Sequence, residues 1–106
     1  ECHKTHSGHM DVYGRMSWDK PAPTLTTRCY SYSNGRFGHP DTKQHRAISV
    51  REASMLQTFP KDFIFKGSVV EASRQIGNAV PCEMAKQFGL AIHKHYIHIK
   101  KIKTDY

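Results

Sequence analysis

The chain carries 106 residues, enough for one small domain or a piece of a larger one, and a chain this short buries only about two-thirds of its unfolded surface. Lys and Arg outnumber Asp and Glu by 16 to 9, and the formal net charge is +7; that excess suits either a polyanion such as nucleic acid or a plain basic surface. No apolar run approaches the roughly 20 residues of a membrane span, and the opening ECHKTHSGHM lacks the apolar core of a secretory signal.

That opening also lacks an initiator Met, so the chain is expected to begin inside a longer protein. Cys2, Cys29 and Cys82 are odd in number and widely spaced, which argues against a disulfide framework and for a reducing, cytoplasmic setting. Cys2, His3, His6 and His9 are possible metal ligands, but no convincing second pair lies further along. The segment reads as a solvated His-rich stretch, and no metal is expected.

Up to about His45 the chain is rich in Gly, Ser, Thr, Pro and Tyr and reads as short strands and loops. Pro21 and Pro23 hold the approach extended, and Pro23–Tyr32 (PTLTTRCYSY) has strand-favouring residues. Ser33, Asn34 and Gly35 supply a turn. Arg28, Arg36, Lys43 and Arg46 are interleaved with Tyr30, Tyr32 and Phe37. Such a mixture suits phosphate neutralisation and base stacking, or equally a hairpin with a basic face.

From about residue 47 the pattern is helical. Ser49 caps a first helix and Glu52 completes its capping box; Val50, Ala53 and Leu56 share a face, and Pro60 follows the helix end. Ser68 and Glu71 repeat the capping box, and Gly77 or Asn78 is expected to end this second helix in a left-handed turn. Pro81 opens a third helix on which Ala85, Phe88, Ile92, Tyr96 and Ile99 recur at steps of three and four, as far as about Ile102. Cys82 sits near a helix N-terminus, which favours a thiolate, but it has no base at an obvious offset and reads as a packing residue. Asn78 reads as a structural cap, or as one wall of a polar site made with the backbone N–H groups of the next helix.

Three phrases, WDKPAPTLTTR (Trp18–Arg28), HRAISVREASMLQTFPKDFIFKG (His45–Gly67) and RQIGNAVP (Arg74–Pro81), together resemble the C-terminal portion of bacterial DNA (cytosine-5) methyltransferases. The last two are similar to the family's ninth and tenth motifs, the first to the end of its target-recognition region. The resemblance covers about Tyr13 to Leu90 and implies an α+β fold. Residues 1–46 would be the strand-rich end of the recognition region. Residues 47–106 would be helices that complete a Rossmann-like, S-adenosylmethionine-dependent methyltransferase domain.

The activity implied is methyl transfer from S-adenosylmethionine to C5 of a cytosine flipped out of duplex DNA, often within a restriction–modification system. The family's nucleophilic Cys stands in Pro-Cys-Gln, its assisting Glu in Glu-Asn-Val, and its main cofactor loop in Phe-x-Gly-x-Gly. None of these occurs here, so no catalytic residue is assigned; the isolated chain is expected to be inert and to need a missing N-terminal catalytic half. The resemblance assigns Asn78, Ala79 and Val80 to the cofactor, with Gln75 and Gly77 shaping their loop. It assigns Thr24 to a DNA phosphate near the flipped base, and Thr26, Arg28 and Arg36 to weaker DNA contacts. Phe88, Ile92 and Ile99 would face absent partners and favour self-association. The competing reading is a stand-alone basic DNA-binding module without catalysis.

Overall fold

The computed structural model describes residues 12–104, so the Cys2–His9 segment lies outside the described residues. Among these residues stand two single 3₁₀ turns, Tyr32–Asn34 and Thr42–Gln44, and three helices: α1 (Val50–Leu56), α2 (Val69–Asn78) and α3 (Cys82–Thr104). The expected α+β class is not what forms. Extended pairing is limited to two isolated bridges, Arg15 with Gly38 and Gly38 with Ala47, and no sheet is built among the described residues.

The reason lies in where the apolar side chains go. A β-propensity is realised only when a strand has a half-buried face and a partner. In the Pro23–Tyr32 segment the buried residues are Leu25 and Cys29, four apart rather than two. The backbone between them turns: the Cys29 N–H donates to the Thr26 carbonyl at 3.2 Å and the Ser31 N–H to the Arg28 carbonyl at 3.0 Å. The Thr- and Tyr-rich run is therefore a series of turns that drops two anchors into the core.

The two capping boxes form as their spacing implies. The Ser49 N–H donates to the Glu52 carboxylate at 2.7 Å, and the Ser68 N–H to that of Glu71 at 2.7 Å. Each box satisfies N–H groups that a helix start leaves unpaired. The face α1 buries is Ala53, Ser54 and Gln57, with Val50 packed at its edge; Leu56 is exposed. α2 buries Ala72, Ser73 and Ile76. Phe37 and Ile48 join Leu25, Cys29, Ala53 and Ile76 in one small core.

Two details of the helix ends depart from expectation. Neither Gly77 nor Asn78 is left-handed; both stay in α2, and Ala79 leaves it in an extended conformation (φ −78°, ψ 142°). Pro81 restricts Val80, the residue before it, to extended conformations, so the helix cannot run on to it and ends one residue earlier at the Ala79 cap. The left-handed residue sits instead after α1, at Thr58 (φ 58°), where the Phe59 N–H reaches back to the Ser54 carbonyl at 3.0 Å.

α3 stands apart. It runs 23 residues, about 34 Å at roughly 1.5 Å per residue, and Glu83 to Lys101 are all exposed. Among the described residues α1 and α2 are the only elements packed on one another, and the molecule extends 73 Å along its long axis against 34 and 23 Å across. No helix among the described residues is long and apolar enough to cross a membrane.

Candidate cofactor loop and DNA-contact site

The junction between α2 and α3 is fixed from below by the end of α1. Gln57 is 8% exposed, and its Nε2 donates to the Ile76 carbonyl at 3.0 Å and to the Ala79 carbonyl at 2.9 Å. Its own carbonyl accepts from the Cys82 N–H at 3.1 Å. Next to it, the Thr58 Oγ1 accepts from the Glu83 N–H at 3.0 Å. Two carbonyls at the end of α2 and two N–H groups at the start of α3 are thus satisfied by one polar pair. A β-branched residue in the left-handed region is strained; at Thr58 the strain is offset by the cap its hydroxyl provides.

From the side, the junction is closed by the Thr24–Thr27 segment. Gly77 lies flat against the Thr26–Thr27 peptide, and a Cβ built on it would fall 2.5 Å from the Thr26 carbonyl oxygen, a distance no real side chain holds. The glycine is there for close approach, not for a left-handed turn. The result is a hollow of about 360 Å³ whose walls include Pro23, Thr24, Gln57, Gly77, Ala79 and Met84.

This geometry brings together some of the residues singled out above and not others. Thr24 and Ala79 share the hollow. Asn78 and Val80 are exposed beside it, and the Asn78 carboxamide makes no hydrogen bond among the described residues. Thr26 contributes its backbone, while its hydroxyl accepts a long 3.4 Å hydrogen bond from the Arg28 N–H. Arg28 is exposed. Arg36 lies elsewhere, its Cγ pressed to within 2.5 Å of where a Cβ on Gly14 would stand. Gln75 does not enter the loop; its Nε2 donates to the Lys66 carbonyl at 2.9 Å and braces the approach to α2.

The charged groups nearby are structural. Arg46 holds Glu52 with two hydrogen bonds of 2.7 and 2.8 Å, and this pairing keeps the Glu52 carboxyl at about 2. The Arg51 guanidinium donates to the Lys61 and Phe63 carbonyls at 3.1 and 3.2 Å. Burial pushes the Cys29 thiol up, away from the thiolate form a nucleophile needs. No group of three metal-ligating side chains exists among the described residues.

Gln57 and Thr58 are what sequence reasoning missed. The signal was present: Gln57 falls seven residues after Val50 and four after Ala53, so a polar amide occupies the buried stripe of an amphipathic helix. Such an amide needs buried partners.

Comparison with known proteins matches residues 2–94 to the model of the C-5 cytosine-specific DNA methylase family. Type II methylase M.HgiDII of Herpetosiphon aurantiacus is 53% identical over 100 residues, covering 89% of this chain and 28% of that protein. Type II methyltransferase M.Sau96I of Staphylococcus aureus is 43% identical over 91 residues (86% of this chain, 20% of that protein). DNA (cytosine-5)-methyltransferase 1 of Mus musculus is 41% identical over 88 residues (82% and 5%). The chain therefore spans little more than a quarter of the first of these relatives and less of the others. With residues 2–94 of its 106 matched by the family model, the chain belongs to the C-5 cytosine-specific DNA methylase family.

Proposed function

We propose that the chain is the C-terminal piece of a DNA (cytosine-5) methyltransferase of a restriction–modification system. In this reading, residues 12–46 close the target-recognition region and the three helices complete the catalytic domain. The observation that carries it is the packing of Gly77 on the Thr26–Thr27 peptide, which sets the GNAVP loop and the PTLT segment around one hollow. A loop for the methyl donor and a segment for the DNA phosphate have reason to be held in fixed register, because transfer requires both reactants in one geometry.

The residues present fit one end of S-adenosylmethionine. The free carboxamide of Asn78 offers both a donor and an acceptor, and the exposed Val80 lies near it, while the Ala79 N–H and carbonyl are already bonded to the Ile76 carbonyl and the Gln57 amide. The carboxamide suits the amino and carboxylate groups of the methionine moiety. Nothing in the hollow supplies an acid for a ribose, so the rest of the cradle belongs to another part of the parent. The cofactor supplies the methyl group; Asn78 to Val80 orient one end of it, and Thr24 positions the DNA backbone.

The family's Pro-Cys-Gln phrase does not occur in the chain, which leaves it without the expected nucleophile for the covalent adduct with cytosine. The isolated chain should incorporate no labelled methyl group into duplex DNA. Mixed with the remaining N-terminal portion of the Herpetosiphon methylase, it should restore incorporation. Turnover by the pure chain alone would contradict this reading, as would failure of a well-folded pair to methylate.

A further inference from the structure

Helix capping alone does not account for the polar pair beneath the α2–α3 junction. The Ile76 carbonyl already accepts from the Ala79 N–H at 3.2 Å, yet the buried Gln57 Nε2 reaches it as well, at 3.0 Å. The same amide takes the Ala79 carbonyl at 2.9 Å. One side chain thereby holds the carbonyls two residues before and one residue after Asn78. Orphan groups at an exposed helix end are satisfied by water as readily as by a side chain. A second donor on a carbonyl that has a partner fixes its position instead.

Thr58 carries strain to the same end. After α1 the chain passes through a left-handed residue, φ 58°, where glycine is the unstrained choice. A β-branched residue is an outlier there. What threonine adds over glycine is its Oγ1, which accepts from the Glu83 N–H at 3.0 Å, 25 residues further on. The Gln57 carbonyl accepts from the neighbouring Cys82 N–H at 3.1 Å. Strained residues persist where their surroundings over-determine them, and they cluster at sites where a geometry must be held.

We propose that Gln57 and Thr58 are positioning residues for the methyl-donor loop: they pin the Ile76–Glu83 junction at four backbone points, so that the Asn78 carboxamide is presented in one place. The inference rests on the reading that Asn78 to Val80 face S-adenosylmethionine. Both Nε2 hydrogens of Gln57 are spent on the loop, so it acts through the loop. A loop already held in place loses less freedom when a ligand binds, so the pair sets affinity for the methyl donor and not the rate of transfer.

The pinning is read first in the 106-residue chain, with Cys2→Ser in every sample. A thiol reagent reports local opening of the junction at half-buried Cys82 and opening of the core at buried Cys29. Gln57→Met keeps the side-chain length and removes the amide; Thr58→Gly relieves the strain and removes the hydroxyl. Each should label Cys82 about fivefold faster or more, as for one lost hydrogen bond, with Cys29 unchanged. Thr58→Ser should match the wild type. Thr58→Gly should act at an unchanged urea midpoint, because relief of strain offsets the lost cap.

The chain is then paired with the N-terminal portion of the Herpetosiphon methylase. Gln57→Met should raise KM for S-adenosylmethionine about tenfold and Thr58→Gly about fivefold, with kcat and KM for DNA within about twofold of the wild type. Unchanged Cys82 labelling in both variants overturns the proposal. So does a loss spread over kcat and both KM values with faster labelling of Cys29, the mark of a weakened fold. Asn78→Ala in the same pair separates the proposal from the reading beneath it. If Asn78→Ala raises KM for the methyl donor and Gln57→Met and Thr58→Gly do not, the positioning role is overturned and the loop keeps its assignment. If both variants free Cys82 but no substitution, Asn78→Ala included, moves that KM, the loop is held for another purpose and its assignment to the methyl donor falls.

Discussion

Adding one methyl group at Gly77 tests how tightly the two loops are joined. Gly77→Ala must push the Thr26–Thr27 backbone away, and backbone cannot yield as the end of a flexible side chain would. Overpacking of this kind costs about 1–3 kcal/mol. The urea midpoint should fall accordingly at an unchanged slope, and an unaltered midpoint would mean that the contact is loose. Glu52 makes a second prediction at this scale. Its carboxyl sits at about 2 against an ordinary 4.5, chiefly because Arg46 donates to it. A lowered carboxylate pKa contributes stability fully above about pH 4.5, and that contribution is lost as pH falls toward 2. The side chain is 34% exposed, so solvent screening reduces the effect to about 1–2 kcal/mol. The stability gap between wild type and Glu52→Gln should be of that size near pH 7, and more than half of it should be gone by about pH 3. A gap that stayed constant would show that Arg46 and Glu52 contribute by packing rather than charge.

Elements were legible where a local rule governs them and illegible where a distant partner does. Ser49 with Glu52, and Ser68 with Glu71, mark helix starts because a capping box is complete within four residues. The step-of-three-and-four pattern from Ala85 likewise gave α3 to within two residues of its end. The expected strands failed because pairing depends on what lies alongside. Thr and Tyr in Pro23–Tyr32 found no edge to join, and Leu25 and Cys29 were drawn inward at helical rather than strand spacing. α3 itself makes a prediction. Phe88 and Ile92 are 60% and 70% exposed, with Met84 and Ile99 beside them, an apolar stripe of the kind that soluble monomers rarely leave open. The isolated chain should show a sedimentation coefficient that rises with concentration, and Phe88→Glu with Ile92→Glu should return it to a monomer. A wild-type chain that stays monomeric throughout would mean the stripe is tolerated in water.

Across the whole molecule, the residues proposed for the methyl donor and the DNA could be named through their resemblance to known motifs, while their support could not. Asn78 and Thr24 could be named from short phrases. That Gln57 would bind the carbonyls on either side of Asn78, and that Gly77 would press on Thr26, are facts of tertiary contact between segments about 20 and 50 residues apart, invisible to local pattern. Arg36 illustrates the converse: its charge suggested DNA, but its stem packs over Gly14, away from the hollow.

The central claim is that one hollow serves two reactants, and it can be read from a single kinetic experiment. The chain is grafted into the Herpetosiphon methylase in place of the 100 residues it matches, and methyl transfer is followed with each reactant varied in turn. Asn78→Ala should raise KM for S-adenosylmethionine about fivefold, as expected for one lost hydrogen bond of about 1 kcal/mol, with KM for DNA unchanged. Thr24→Ala should do the reverse, and Gly77→Ala should raise both. An active graft indifferent to all three substitutions would contradict the account.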